Sequence, residues 1–244
     1  ELYARLAKQA GVPDGVLTIM PGTAEAGEAL VRHPAVELIT FTGGPITARK
    51  IMAACAERIK PSIMELGGKS ASLLFPDCDV DAACERAIFW TIGIMAGQGC
   101  ALPTRLLVHA DIYDEVLEKL KAITARFTVG DPFEAGVMVG PLINAAACDR
   151  VMGMFDRVRE TGSGRILMGG ERCGGALAAG NFIQPTIIAD ADPDSEIAQV
   201  EIFGPAIVVM KFDDEDHGVA IANNSEYGLA AYIQSNDLKR VHRV

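Results

Sequence analysis

Apolar positions along the chain follow two periods. The runs VLTIM, before Pro21-Gly22, and VELITF (36–41) are short, apolar and closed by turn residues, which predicts buried strands. AEAGEALVRH (24–33) and ITARKIMAACAERI, opened by Pro45, carry helical patterns. These stretches predict two strand–helix units of a parallel, doubly wound sheet. From about residue 67 strands are expected at SASLLF (70–75), TRLLVH (104–109), FIQPTIIAD (182–190) and PAIVVMKF (205–212). Helices are expected over 79–96, with Val80, Ala83, Ala87 and Trp90 or Thr91 on one face, and over 145–160 around Val151, Met152, Phe155 and Val158. A further helix, capped by Asp111, carries Ile112, Val116, Leu117, Leu120 and Ile123 at helical spacing. The class is α/β. Helical patterns also run into both ends, ELYARLAKQAGVPDG without a cap and NDLKRVHRV without a stop, so the chain reads as a piece of a longer protein.

Composition narrows the partners. The formal net charge is -10, a poor match to nucleic acid or an anionic membrane surface. No apolar run is long enough to span a membrane, and no signal peptide is visible. The six cysteines form no CxxC pair and the four histidines no HExxH, so no metal site is expected, and the chain reads as cytoplasmic and reduced.

Four stretches could carry chemistry. FTGG (Phe41–Gly44) places small residues between a strand and a helix N-terminus, where free N–H groups and the helix dipole suit a pyrophosphate; a plain tight turn is the competing reading. MELGGKS (64–70) fails as a phosphate-binding loop of the GxxxxGK[ST] kind, because Ile63 stands where glycine is needed. Its Glu65, between Met64 and Leu66, is expected to lose hydration and to suit a general base. GQGC (97–100) gives Cys100 a helix-ending Gly97 and, in Gly99 and Ala101, room beside the sulfur. A nucleophile must be a thiolate, and no nearby histidine supplies one, so a hydrolase-like Cys–His pair has no local support. EIFGP (201–205) sets an acid, an aromatic and a Gly-Pro turn before a strand.

In this order and spacing the four stretches, with VGDP, VGPLI, FIQPT and ANNSEYGLAA, resemble the aldehyde dehydrogenase superfamily over nearly the whole chain. The resemblance implies the end of a Rossmann-like NAD(P)-binding domain over 1–66 and most of an α/β catalytic thiol domain over 67–244, truncated at its C-terminal end. It implies that Cys100 attacks the aldehyde carbon to give a thiohemiacetal, that oxidation leaves a thioester, and that Glu65 activates the water that releases a carboxylic acid. The Cys100 N–H is one candidate oxyanion donor; a second, an asparagine, belongs to an earlier segment. For NAD or NADP it implies contacts from Gly27, Thr42, Gly43, Gly44, Leu66, Gly67, Glu201 and Phe203. Relatives that pass the acyl group to coenzyme A generally lack the glutamate, so Glu65 favours hydrolysis.

Three departures from the family pattern fall near the cofactor: Gly44 for a serine, Ala48 for a glycine and Ala147 for a glutamine. The hydroxyl lost at Gly44, with no N–H on Pro45, predicts weaker phosphate contacts, by about 1 kcal/mol per lost neutral hydrogen bond, and Ala147 falls near the ribose. The implied partners are a small-molecule aldehyde and, in the full-length protein, copies of itself in a homodimer or homotetramer. By itself the chain is expected to bind cofactor poorly and to oxidise little aldehyde. The alternative is a non-catalytic binding or structural relative of the same fold, against which the retained Cys100 and Glu65 argue.

Overall fold

The computed structural model describes residues 2–244, which fall into two compact units, one ending at Leu66 and one spanning Gly67–Val244. The first contains α1 (Leu2–Gln9), α2 (Ala24–Arg32), β1 (Ile39–Gly43), α3 (Pro45–Ala56) and β2 (Ser62–Leu66). β1 and β2 are parallel, joined through α3 in a strand–helix–strand unit. Val31 of α2 packs on Ala54 and Cys55 of α3, with Ile39 and Ile51 beside them. VLTIM forms no ladder, and Val16, Leu17, Ile19 and Met20 are exposed. An apolar run becomes a strand only where a partner takes its backbone groups, and within this unit β1 and β2 pair with each other.

The second unit continues with β3 (Ala71–Leu74), α4 (Val80–Ile88), β4 (Arg105–His109), α5 (Tyr113–Thr124), β5 (Thr128–Val129), β6 (Val137–Val139) and α6 (Ala145–Thr161). It closes with β7 (Arg165–Met168), β8 (Thr186–Ala189), α7 (Glu196–Gln199), β9 (Ala206–Phe212), α8 (Glu215–Asn223), β10 (Ala231–Gln234) and α9 (Leu238–Arg243). Six strands form one sheet in the order β10-β3-β4-β9-β8-β7, parallel except for the antiparallel edge pair β7–β8.

Side chains alternate across this sheet. Leu73, Leu107, Val208 and Met210 pack with Val151, Phe155 and Val158 of α6 and Ile221 of α8. Leu74, Leu106, Val108 and Val209 pack on the other side with Ala83, Cys84, Ala87 and Ile88 of α4 and Val116, Leu117 and Leu120 of α5. Burial on both sides explains the continuous apolar runs of β4 and β9. The helix expected over 79–96 stops at Ile88. A wide π turn (Phe89–Gly93) and a tight 3-10 turn (Ile94–Gly97) follow, with Met95 and Ala96 in the left-handed region at φ 49° and 52°. Nor does Asp111 cap α5: it sits inside a 3-10 turn, where its N–H donates to His109 Nδ1. Side-chain oxygens cap α4, α6, α8 and α9, from Asp79, Asn144, Asp214 and Asp237.

Candidate active site

In the first unit the parallel register sets Thr42 opposite Glu65 and Gly43 opposite Leu66, so FTGG and MELGG finish side by side at the carboxyl ends of two strands. That is where open α/β sheets bind ligands. Gly44 follows as the N-cap of α3, in extended conformation and without a side-chain cap bond; a β-carbon there would meet open space. Pro45 takes the first helical position, and the next free N–H groups point out of the helix end. A β-carbon at Gly43 would run into the Phe41 ring. Gly27 lies in α2, also with open space around it, and α2 reaches α3 through Val31, not through Gly27.

Glu65 is exposed, which corrects the expectation of a dehydrated carboxylate. Burial along β2 alternates, so Met64 and Leu66 face one way and Ile63 and Glu65 the other. Its apolar sequence neighbours therefore cannot dehydrate it.

In the second unit parts of three motifs meet. Gly68 donates its N–H to Glu201 Oε1 at 3.0 Å. A β-carbon on Gly68 would collide with the Cys100 carbonyl, and one on Gly67 would collide with Glu201 Oε2. The two glycines thus sit between the cysteine loop and the acid. Gly97, at φ +73°, lies so close to the Gly204 carbonyl that no side chain fits, which packs GQGC against EIFGP. Gln98 ties the cysteine loop down with three bonds: its amide donates to the carbonyls of Met95 and Pro141, and its Oε1 accepts the Ile143 N–H. Tyr232 donates its hydroxyl to the Ala101 carbonyl at 2.7 Å.

Cys100 is the one exposed cysteine of the six, all of them free. Burial pushes the thiols of Cys78, Cys148 and Cys173 up, and that of Cys84 up to about 12, so these stay protonated and inert near neutral pH. A β-carbon on Gly99 would lie 2.8 Å from Leu102 Cγ, so the glycine lets Leu102 pack against the cysteine loop. Two surface hollows, of about 370 and 310 Å³, lie beside the end of α6 and beside Asp77 and Arg240, and neither is lined by Cys100.

Glu201 is half-buried, and burial raises its carboxyl above the usual carboxylate range, against the lowering pull of the Gly68 N–H, Lys69 and Arg150. Phe203 beside it holds φ 51°, an uncommon conformation for a bulky residue. Sequence reasoning misses Gln98, Lys69 and Arg150. Lys69 carries a signal, since it interrupts a run that is otherwise small or apolar up to Phe75. Gln98 and Arg150 carry none, because the partners that tie them to other motifs are backbone groups far away in sequence.

Each unit, taken by itself, has a feature that fits part of a dinucleotide. Gly44 leaves an open helix N-terminus where a phosphate can approach the backbone, and among the described residues Glu201 Oε2 has no hydrogen-bond donor and can take a ligand hydroxyl. No group of three His, Cys, Asp or Glu side chains is placed to hold a metal ion among the described residues, and no helix there is long and apolar enough to cross a membrane.

The profile of the aldehyde dehydrogenase family matches residues 1–244. The chain is 38% identical over 244 residues to a betaine aldehyde dehydrogenase of Vibrio vulnificus, covering 99% of this chain and 49% of that protein. The crystal structure of a Mycobacterium tuberculosis aldehyde dehydrogenase complexed with NAD+ superposes at a TM-score of 0.94 with 37% identity, over 100% of this chain and 50% of that one. An NADP-dependent enzyme of E. coli superposes at 0.92 with 38% identity, over 98% of this chain and 49% of that one. The chain spans about half the length of the curated relatives it matches.

Proposed function

The chain belongs to the aldehyde dehydrogenase family, and from that premise we propose that it supplies the nucleophile, the hydrolytic base and part of the cofactor site of an enzyme that oxidises an aldehyde to a carboxylic acid. One observation carries the reading: of six free cysteines only Cys100 is exposed, and it stands on a loop fixed by Gln98 and by close glycine contacts. Such fixing holds a sulfur in attacking position at little entropic cost.

Cys100, as thiolate, adds to the aldehyde carbon; after oxidation that carbon is held on sulfur as a thioester. Covalent capture divides one difficult oxidation into easier steps. Glu65 takes a proton from the water that attacks the thioester, which frees the acid and returns the thiol. Its exposure in this chain leaves it open to water. The Cys100 N–H is the donor this chain offers to the oxyanion. NAD or NADP, when bound, supplies the hydride acceptor. Residues 1–66 form the end of its binding domain, through Gly27, Thr42, Gly43, Gly44 and Leu66, and residues 67–244 the thiol domain, with Gly67, Glu201 and Phe203 toward the cofactor. The protein acts in the cytoplasm as a homodimer or homotetramer.

The test uses the full-length protein, NAD+ or NADP+ and a panel of aldehydes, with reduced cofactor followed by absorbance. Cys100→Ala is expected to lose at least about 10³-fold in kcat. Glu65→Gln is expected to give one burst of reduced cofactor and then stall, with the acyl adduct visible on Cys100 by mass spectrometry. Wild-type turnover by Cys100→Ala sinks the reading.

A further inference from the structure

Lys69 is fully buried, yet no carboxylate forms a salt bridge with it among the described residues. Burying an ammonium is unfavourable, and an apolar side chain of the same volume would fill the space without that cost. Its Nζ donates at 2.6 Å to the carbonyl of Val200, the residue before Glu201. Arg150 of α6 approaches from the other side, with Nη2 to the Ile202 carbonyl at 2.6 Å and Nη1 to the Glu201 carbonyl at 3.3 Å. Three consecutive carbonyls, at 200, 201 and 202, are therefore held by two cations.

We infer that Lys69, with Arg150, is a positioning residue for Glu201: the cations grip the backbone on both sides of the acid and hold its carboxylate in place for a cofactor ribose. The inference rests on the cofactor reading of Glu201 given above.

The local chain explains why a grip is needed. Phe203 is held at φ 51°, and a β-carbon on Gly204 would press on Val151 at 3.0 Å. A segment with a bulky residue in the left-handed region keeps that shape only when its surroundings over-determine it. Gly68 and Lys69 are neighbours, so one short stretch holds Glu201 twice, by the Gly68 N–H on the carboxylate and by the Lys69 ammonium on the preceding carbonyl. Lys69 is itself anchored, because its own carbonyl accepts Arg105 Nε at 2.7 Å and Arg105 is buried. The positive charge also favours the ionised form of Glu201 against its burial.

A double-mutant cycle on cofactor binding tests this in the full-length protein. Calorimetry gives the Kd of NAD+ or NADP+, whichever wild type binds tighter, for wild type, Glu201→Gln, Lys69→Met and the double variant. Glu201→Gln is expected to weaken binding about tenfold, as for loss of one charge-assisted bond. Lys69→Met is expected to weaken it to a similar extent, and the double variant no further than Glu201→Gln, within about twofold. A lysine that merely supports the fold would give independent factors that multiply. Multiplying factors, or an unchanged Kd for Lys69→Met beside a weakened Glu201→Gln, overturn the inference alone. An unchanged Kd for Glu201→Gln overturns the cofactor reading and the inference with it. Should Lys69→Met not fold, Arg150→Gln, on the exposed cation, takes its place in the cycle, and the same patterns of Kd support or overturn the inference.

Discussion

The glycines around Cys100 and two glycines of the first unit, Gly27 in α2 and Gly44 at the start of α3, have opposite surroundings. Gly67, Gly68 and Gly97 each face an atom that a β-carbon would strike: a carboxylate oxygen of Glu201, the Cys100 carbonyl and the Gly204 carbonyl. Gly27 and Gly44 have nothing near them. Glycine serves two ends here. In the second unit it lets three loops of the same chain close on one another. At Gly27 and Gly44 it keeps space free, as a surface that meets something else would. The first set should therefore punish any added atom, and these two positions should accept one.

The contrast breaks most visibly at Gly97. Gly97→Ala puts a methyl group into the Gly204 carbonyl and forces alanine into a left-handed conformation. In the full-length protein it is expected to cost about 3 kcal/mol, from overpacking and backbone strain together. Denaturant unfolding reads the stability loss, and labelling of Cys100 by a mild electrophile reads the displaced loop. Gly97→Ala with unchanged midpoint and labelling rate would show that the tight packing of GQGC on EIFGP is not required.

A smaller effect sharpens the same contrast through Lys69. Burial, helped by the Arg105 charge, lowers its ammonium from 10.5 to about 7. The unfolded lysine keeps its proton up to 10.5, so between about 7 and 10.5 the unfolded state holds more protons than the folded one. Stability contributed by this group then rises with pH through that window and falls as pH drops through it. Lys69→Met should remove the slope, leaving a variant whose stability relative to wild type is best near pH 7 and worst near 10.5. Parallel stability–pH curves for the two proteins would mean that Lys69 is not dehydrated.

Much of this is legible in the sequence, for definite reasons. β4 and β9 carry unbroken apolar runs, Leu106–Val108 and Ala206–Met210, because both sides of the sheet are covered, and α6 shows its buried stripe at Val151, Phe155 and Val158. FTGG and MELGG announce strand ends because small residues cluster there. Three features are not legible. The helix after Asp79 carries an unbroken apolar pattern to residue 96, but a wide turn and two left-handed residues re-aim the chain before Gly97; tertiary contact with Gly204 decides this, not propensity. Glu65 has apolar neighbours in sequence, but strand alternation turns them away. The grip of Lys69 and Arg150 is made on main-chain carbonyls some 131 and 51–52 positions away, and a carbonyl has no residue identity to read.

The smallest expected effect falls in the open region, at Gly44. Its backbone is extended, φ -77° and ψ 153°, as an N-cap serine would have it, and nothing occupies the space of a side chain. The family pattern places serine there. Gly44→Ser would give α3 a hydroxyl that can accept an N–H of the first turn or donate to a phosphate, but not both at once. As a cap it should add a few tenths of a kcal/mol of stability, because glycine is already a fair N-cap. As a phosphate donor it should tighten NAD+ or NADP+ about two- to fivefold, as expected of one neutral hydrogen bond. Calorimetry and thermal unfolding of the full-length variant separate the two. Tighter cofactor with unchanged Tm assigns the hydroxyl to the phosphate, and higher Tm with unchanged Kd assigns it to the helix. A loss in both would mean that the space beside Gly44 is filled in the full-length protein, and the contrast between the two sets of glycines would then hold only within this chain.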